Sequence, residues 1–310
     1  MPAPINVIKS KFITNFFQKY VGEKDIRYFK KRTSYYLIFR IFRNFFANDL
    51  IIKIYDFKIF GSIKKNKTSY FLLKKCEFGD YHELETIRKI SKKNQVLFID
   101  CGCNYGFYSF YCASLSKRNK IFSIEASKKT SNEFLRNFKL NNFSNIKFEN
   151  KAISNVDDEL VSFNESENDW ESSESHKEFN LSSISNVKTL KLDTLVKKFN
   201  FDDYSTIIKL DIEGAETKAL EGAFNLIKEA SPLIIMEFSK YIFNDESKII
   251  FLKNFLNEFD YSIYDTNCCK KTLDEVLIKL DKLNKRHKTI GNYYLIKNLS
   301  NNLGMFLNNE

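Results

Sequence analysis

At 310 residues, with 43% hydrophobic and 15% aromatic residues, the chain can hold one large domain, or one domain with an appendage, and is too apolar to be disordered throughout. Its net charge of +10 is uneven: residues 1–95 carry 21 of the 49 Lys and Arg but only 8 of the 39 Asp and Glu, so the remainder is slightly acidic. That distribution argues against a nucleic-acid groove in the C-terminal two-thirds, and leaves a basic N-terminal region suited to an acidic surface.

Residues 6–48 read as helical, basic and aromatic, with Phe12, Phe16, Phe17 and Tyr20 spaced along one helix face, and residues 35–46 have the same character. Such stripes are expected to pack on the following domain; the alternative is an interfacial helix on anionic lipid. Residues 50–60 and 69–73 read as short strands around a turn at Gly61. From Gln95 onward, short apolar runs alternate with helical segments, the signature of a mostly parallel, doubly wound α/β sheet covered on both faces. VLFID (96–100) predicts a buried strand, residues 105–116 a helix, KIFSIE (120–125) a second strand, residues 129–141 a second helix, and residues 146–149 a third strand.

Residues 154–180 break that rhythm with nine acidic residues against one lysine, Lys177, and read as a mobile loop or hairpin insertion. The sheet pattern resumes at 187–192 and at TIIKL (206–210), followed by a helix at 215–229 and the strand LIIME at 233–237. Residues 261–264 and 292–296 predict a final hairpin whose arms are separated by a helix at 273–288. The predicted divisions are therefore a basic region at 1–75, a catalytic domain at 76–300 and a tail at 301–310.

The six cysteines show no paired spacing, and the histidines His82, His176 and His287 are far apart, so reduced thiols and no metal site are expected. No secretory pattern and no run of about 18 uncharged apolar residues is seen, so a cytoplasmic, or peripherally membrane-bound, location is expected.

Chemistry concentrates in three places. Asp100-Cys101-Gly102-Cys103-Asn104-Tyr105-Gly106 joins a strand to a helix. Side chains at Gly102 or Gly106 would fill volume that a ligand needs, and Asp100 is placed to face a ligand's ammonium group. Glu125 ends the second strand 25 residues later, where a carboxylate can accept hydrogen bonds from both hydroxyls of a ribose. The third place is Lys209-Leu210-Asp211-Ile212-Glu213-Gly214-Ala215-Glu216, where carboxylates gather as a buried strand meets a helix. Asp211 and Glu213 are the candidate bases; Glu213 and Glu216 could instead favour the helix dipole. Glu237 is a further acid on the same edge, and His82 an alternative base.

With Asp100 repelling a pyrophosphate and no third glycine, a nicotinamide-dependent oxidoreductase is disfavoured. A non-catalytic nucleoside-binding module of the same fold is the other alternative. No P-loop or hydrolase motif occurs.

Four segments in order resemble the FkbM family of methyltransferases: VLFIDCGCNYGFYSFYCA, FSIEAS, LKLDTL with IIKLDIEGAETKALEGA, and PLIIMEFS. FSIEAS departs from the family's usual Glu-Pro continuation with Ala126. The resemblance covers residues 76–238. It implies a class I, Rossmann-like methyltransferase that uses S-adenosyl-L-methionine, with Asp100, Gly102, Asn104, Gly106, Glu125 and Asp211 about the cofactor. It also implies a hydroxyl acceptor on a sugar, glycan or other small metabolite.

Overall fold

The computed structural model describes residues 5–7, 50–61, 80–166, 173–174, 181–243, 245–283 and 289–298. The predicted N-terminal helical stripes, the strand at 69–73 and the tail lie outside these residues. The chain forms two compact units, Met1–Tyr81 with Asn132–Phe143, and His82–Ser131 with Ser144–Glu310.

In the first unit, β1 (Ile5–Val7), β2 (Leu50–Ile54) and β3 (Phe57–Gly61) form an antiparallel sheet. The sequence predicts one strand across 50–60, but the ladder turns between Ile54 and Phe57, with Tyr55 in the left-handed region at φ 50°. Tyr-Asp carries neither Gly nor Asn, the usual signals for that conformation, so the turn left no mark in the sequence. Ile52, Ile54, Phe57 and Ile59 are buried by the period-two alternation of the hairpin. The C-terminal part of the helix Lys128–Phe138 belongs to this unit. Asn137 Oδ1 accepts from the Phe60 amide at 2.7 Å, and Asn141 both accepts from the Lys58 amide and donates to its carbonyl, each at 2.8 Å.

The second unit is built on an eight-stranded sheet. The helices preceding and following its first strand are α1 (Tyr81–Lys93) and α2 (Phe107–Leu115), and Lys128–Phe138 is α3. The strands β4 (Gln95–Cys101), β5 (Lys120–Ile124) and β6 (Ile146–Glu149) match the predicted apolar runs. After β7 (Ala152–Ile153), the expected insertion supplies β8 (Leu160–Ser166) and β9 (Ser173–Glu174), and β8 pairs antiparallel with β10 (Leu181–Leu190), which takes up the run expected to resume the main sheet at 187–192 and instead joins the insertion's strands. The insertion is thus a hairpin in a separate four-stranded sheet, ordered β7-β10-β8-β9. Residues 167–172 and 175–180 lie outside the described residues.

The chain continues through α4 (Leu192–Val196), β11 (Tyr204–Leu210), α5 (Glu216–Glu221) and α6 (Phe224–Ala230). The single helix predicted for 215–229 is broken at Gly222, where a Cβ would lie 2.2 Å from the Ser154 carbonyl oxygen; glycine there allows two backbones to approach. Next come β12 (Leu233–Ser239), α7 (Lys240–Phe243), α8 (Glu246–Glu258), β13 (Tyr261–Tyr264), β14 (Lys270–Lys271), α9 (Leu273–Asp281) and β15 (Thr289–Lys297).

The strand order is β14-β13-β15-β12-β11-β4-β5-β6. β4, β5, β6, β11 and β12 pair in parallel, whereas β15 is antiparallel to both β12 and β13, as the predicted final hairpin requires. Leu97, Ile99, Ile208, Leu210, Ile234 and Met236 fill the core on one face of the sheet. Alternation sends Asp100, Lys209 and Glu237 to the other face, toward the carboxyl edge where ligands bind in open α/β sheets. Among the described residues, no helix is long and apolar enough to cross a membrane.

Candidate active site

The site begins where β4 ends. Gly102, Asn104 and Gly106 all have positive φ, at 76°, 49° and 87°. The Gly102 and Cys103 amides both donate to the Ile124 carbonyl, which ties the loop to β5, and Gly106 caps α2. A Cβ at Gly102 would lie 2.0 Å from the Asp211 carbonyl oxygen and 3.2 Å from Ile212 Cγ2. The sequence predicts that this glycine makes room for a ligand; in the structure it makes room for the end of β11, whose Asp211 amide donates to the Cys101 carbonyl.

Asp100 is only 1% exposed, and its Oδ2 accepts from Ser109 of α2 at 2.5 Å; Ser109 in turn bonds Ser123 of β5. Burial pushes its carboxyl up to about 6, against the pull of Lys209 and Ser109. Asp100 therefore lies beneath the loop and does not open directly to solvent. Glu125 follows β5 and is also buried. Its Oε2 accepts from the Asn104 amide at 3.0 Å and its Oε1 from the Ser127 amide at 2.9 Å. A carboxylate has about four acceptor positions, so a fixed Glu125 keeps two for a diol.

The segment after β11 is held by charge. Glu216, 1% exposed, accepts from the Ile212 and Gly214 amides with its two oxygens, at 3.1 and 2.9 Å. Lys248 of α8 donates to the Gly214 carbonyl at 2.8 Å. Together they hold Glu213 at φ 52° and Gly214 at φ 104°, a conformation that costs a non-glycine residue about 1 kcal/mol or more. Glu216 is thus a clamp on the turn. Burial raises its carboxyl to about 7, and the two amides oppose that rise.

Asp211, Glu213 and Glu237 come together here, with carboxylate oxygens within 4.8 Å of one another. The chain places its own cation beside one member of this trio, Asp211. Lys209, 3% exposed inside β11, places Nζ 2.6 Å from Asp211 Oδ2 and 4.8 Å from the Tyr108 ring centroid. Asp211 is the more open partner, its side chain 37% exposed. Asn292 of β15 stands opposite Glu237 and donates to the buried Glu83 of α1 at 2.9 Å. His82, the alternative base, is exposed on the first turn of α1.

Sequence reasoning passed over Lys209, Asn292 and Glu83. A lysine within the apolar run TIIKL is a legible sign of a buried cation, whereas Asn292 and Glu83 are brought to Glu237 only by the β12–β15 ladder and carry no local signal.

A mostly parallel sheet with the reversed strand β15 inserted between β12 and β13, a glycine loop after its central strand and acids at the ends of the strands beside it, defines a class I methyltransferase fold. The methyltransferase FkbM domain model matches residues 100–263, and the chain belongs to that family. No curated protein matches it.

Solved structures resemble it distantly. The methyltransferase FkbM from Methylobacillus flagellatus KT is 19% identical, covers 74% of this chain and 52% of its own, and has a TM-score of 0.40. This chain therefore spans about half the length of that protein. M. jannaschii TYW2 in complex with AdoMet is 14% identical over 81% of this chain and 84% of its own, with a TM-score of 0.40. SMU.1697c, a putative methyltransferase from Streptococcus mutans in complex with SAH, is 9% identical over 71% of this chain and 96% of its own, with a TM-score of 0.39.

Proposed function

We propose that the chain moves a methyl group from S-adenosylmethionine to a hydroxyl of a sugar, glycan or other small metabolite. The observation that carries this reading is the abutment of the two loops. Gly102, beside the expected cofactor, lies against Asp211, which shares its acidic trio with Glu213 and Glu237. When bound, the donor supplies an electrophilic methyl on a sulfonium.

The chain's own residues do the rest. Glu125 would receive the ribose diol, the 102–106 loop would line the methionine and ribose portions, and Asp100 would support the ammonium end from beneath. Asp211 or Glu213 would take the hydroxyl proton as the oxygen becomes bonded to carbon. In such a displacement, alignment and a positioned base are the contributions a protein can make. The basic residues before position 95 would rest on an anionic membrane or other acidic surface, with the protein acting in the cytoplasm.

Equilibrium binding of S-adenosylhomocysteine and of NAD, measured in parallel, tests the cofactor. Micromolar binding of the first and none of the second is expected; the reverse would make the chain a nicotinamide enzyme. Labelled donor offered to panels of glycans, lipids and small hydroxylated metabolites then tests the acceptor class, and label appearing only on amines would refute hydroxyl transfer.

A further inference from the structure

Glu237 has no part in the proton transfer described so far, yet it completes the trio. The ammonium of Lys209 is committed to Asp211 at 2.6 Å, and that of Lys248 donates to the Gly214 and Tyr241 carbonyls. Glu237 thus brings a further carboxylate to within 4.8 Å of Asp211, whose charge Lys209 already balances. Carboxylates so close in a sheltered site do not all ionise together.

The groups facing Glu237 are Lys209 on β11, Asp211, Glu213 and Glu216 beyond it, and Thr289 and Asn292 on β15, with Glu83 of α1 behind Asn292. Tyr108 of α2 lies beneath the Lys209 ammonium. Glu237 sits in a strand ladder, whereas Glu213 occupies a left-handed turn, so Glu237 is the member with the most fixed surroundings.

We propose that Glu237 is where the transferred proton comes to rest: protonated in the free site, it gives up its proton as the cationic donor binds and receives the acceptor's proton, by way of Asp211 or Glu213, during transfer. This rests on the donor assignment made under Proposed function. The carbon–oxygen bond forms as the carbon–sulfur bond breaks, the electron pair stays on sulfur, and the hydroxyl proton moves to the Glu237 carboxylate. One positive charge leaves sulfur and one proton reaches Glu237, so the total charge of the site is the same before and after. Burial, then Asp211 and Glu216, push the Glu237 carboxyl up to about 8, while Lys209 and Thr289 pull it down, which agrees with a proton held at neutral pH.

Calorimetry in buffers of differing ionisation enthalpy, with EDTA present, counts the protons exchanged when S-adenosylmethionine or S-adenosylhomocysteine binds. Both carry the same ammonium, carboxylate and ribose, so responses at Asp100 and Glu125 cancel in the comparison; only the first carries a sulfonium. The expected result at pH 7 is release of close to one proton with S-adenosylmethionine and almost none with S-adenosylhomocysteine. Affinity for S-adenosylmethionine should then rise by up to about tenfold per pH unit below about 8.

Glu237→Gln should abolish the difference while S-adenosylhomocysteine affinity stays within about threefold, a change of under 1 kcal/mol. Asp211→Asn, which removes a neighbouring negative charge, should shrink it. Equal proton counts for the two ligands, or a difference that survives Glu237→Gln, would overturn the proposal. Should Glu237→Gln fail to fold, the two ligands on the unmutated chain and on Asp211→Asn decide the question. A chain that binds neither ligand overturns the donor assignment, and this proposal with it.

Discussion

The ends of β4 and β11 lie side by side in the sheet and are built from different materials. The β4 end is a loop of positive-φ residues held by neutral backbone bonds to Ile124, with Glu125 reaching across to the Asn104 amide and Asp100 buried beneath on Ser109. The β11 end is held by charges: Glu216 on two amides, Lys248 on a carbonyl, Lys209 on Asp211. The backbone path of the β4 loop rests on steric permission at its glycines, which does not depend on charge. A loop that must handle a proton uses carboxylates raised by burial, which respond to pH and to the charge of whatever binds. The two meet at Gly102 and Asp211, so a change in one is expected to be felt in the other.

If the division of labour is real, changes on the β11 side should alter rate far more than binding. Asp211→Asn or Glu213→Gln should lower methyl transfer by about 10²–10⁴-fold in the variant that removes the base, with S-adenosylhomocysteine affinity nearly kept. Single-turnover rates at saturating donor measure this, and near-normal rates in both variants would end the assignment of either as base.

Gly102→Val tests the seam itself. The new Cβ would meet the Asp211 carbonyl at 2.0 Å on a residue with φ 76°, so the fold should lose about 3 kcal/mol or more, in addition to losing ligand binding. Urea denaturation with unchanged midpoint would show that the two strand ends are not so tightly joined.

Glu125→Ala should weaken S-adenosylhomocysteine binding by about 1.5–3 kcal/mol through lost ribose contacts, and also release the Asn104 amide. Glu125→Gln, which keeps one acceptor oxygen, should recover part of that affinity; calorimetry giving equal losses in both would indicate that charge, not shape, matters on the β4 side. The smallest effect is expected at Lys248→Met. It removes the hydrogen bonds to the Gly214 and Tyr241 carbonyls and should cost about 1 kcal/mol of stability, with a fall in turnover that exceeds any change in cofactor affinity. Equal falls in both would show that the turn also supports the cofactor loop.

The sheet was readable because buried parallel strands are continuous apolar runs: VLFID, KIFSI, TIIKL and LIIME all appear as strands where their composition places them. The candidate carboxylates were also visible, since each stands at a strand end. Three things were not. The Ile54–Phe57 turn has neither glycine nor asparagine at Tyr55, the break at Gly222 answers to a backbone more than sixty positions away, and the partnership of Glu237 with Asn292 depends on how β15 inserts beside β12. Each is decided by tertiary pairing, which local composition does not encode. Asp100 shows the same limit in reverse: its type was evident, but its burial under Ser109 was not.

Asn137 of α3 and Asn141 just beyond its end bear on association. Outer strands of a sheet expose amides and carbonyls that can recruit a strand from another molecule. In the first unit, Asn141 pairs with both backbone groups of Lys58, and Asn137 with the amide of Phe60, while Arg136 lies 4.0 Å from the centre of the Phe60 ring. Two side-chain amides thus act as a counterfeit strand along β3. A helix that occurs in sequence between two strands of the catalytic sheet therefore also serves as a chaperone-like cover for an N-terminal hairpin, and a fragment cut before residue 80 would leave that cover with nothing to shield.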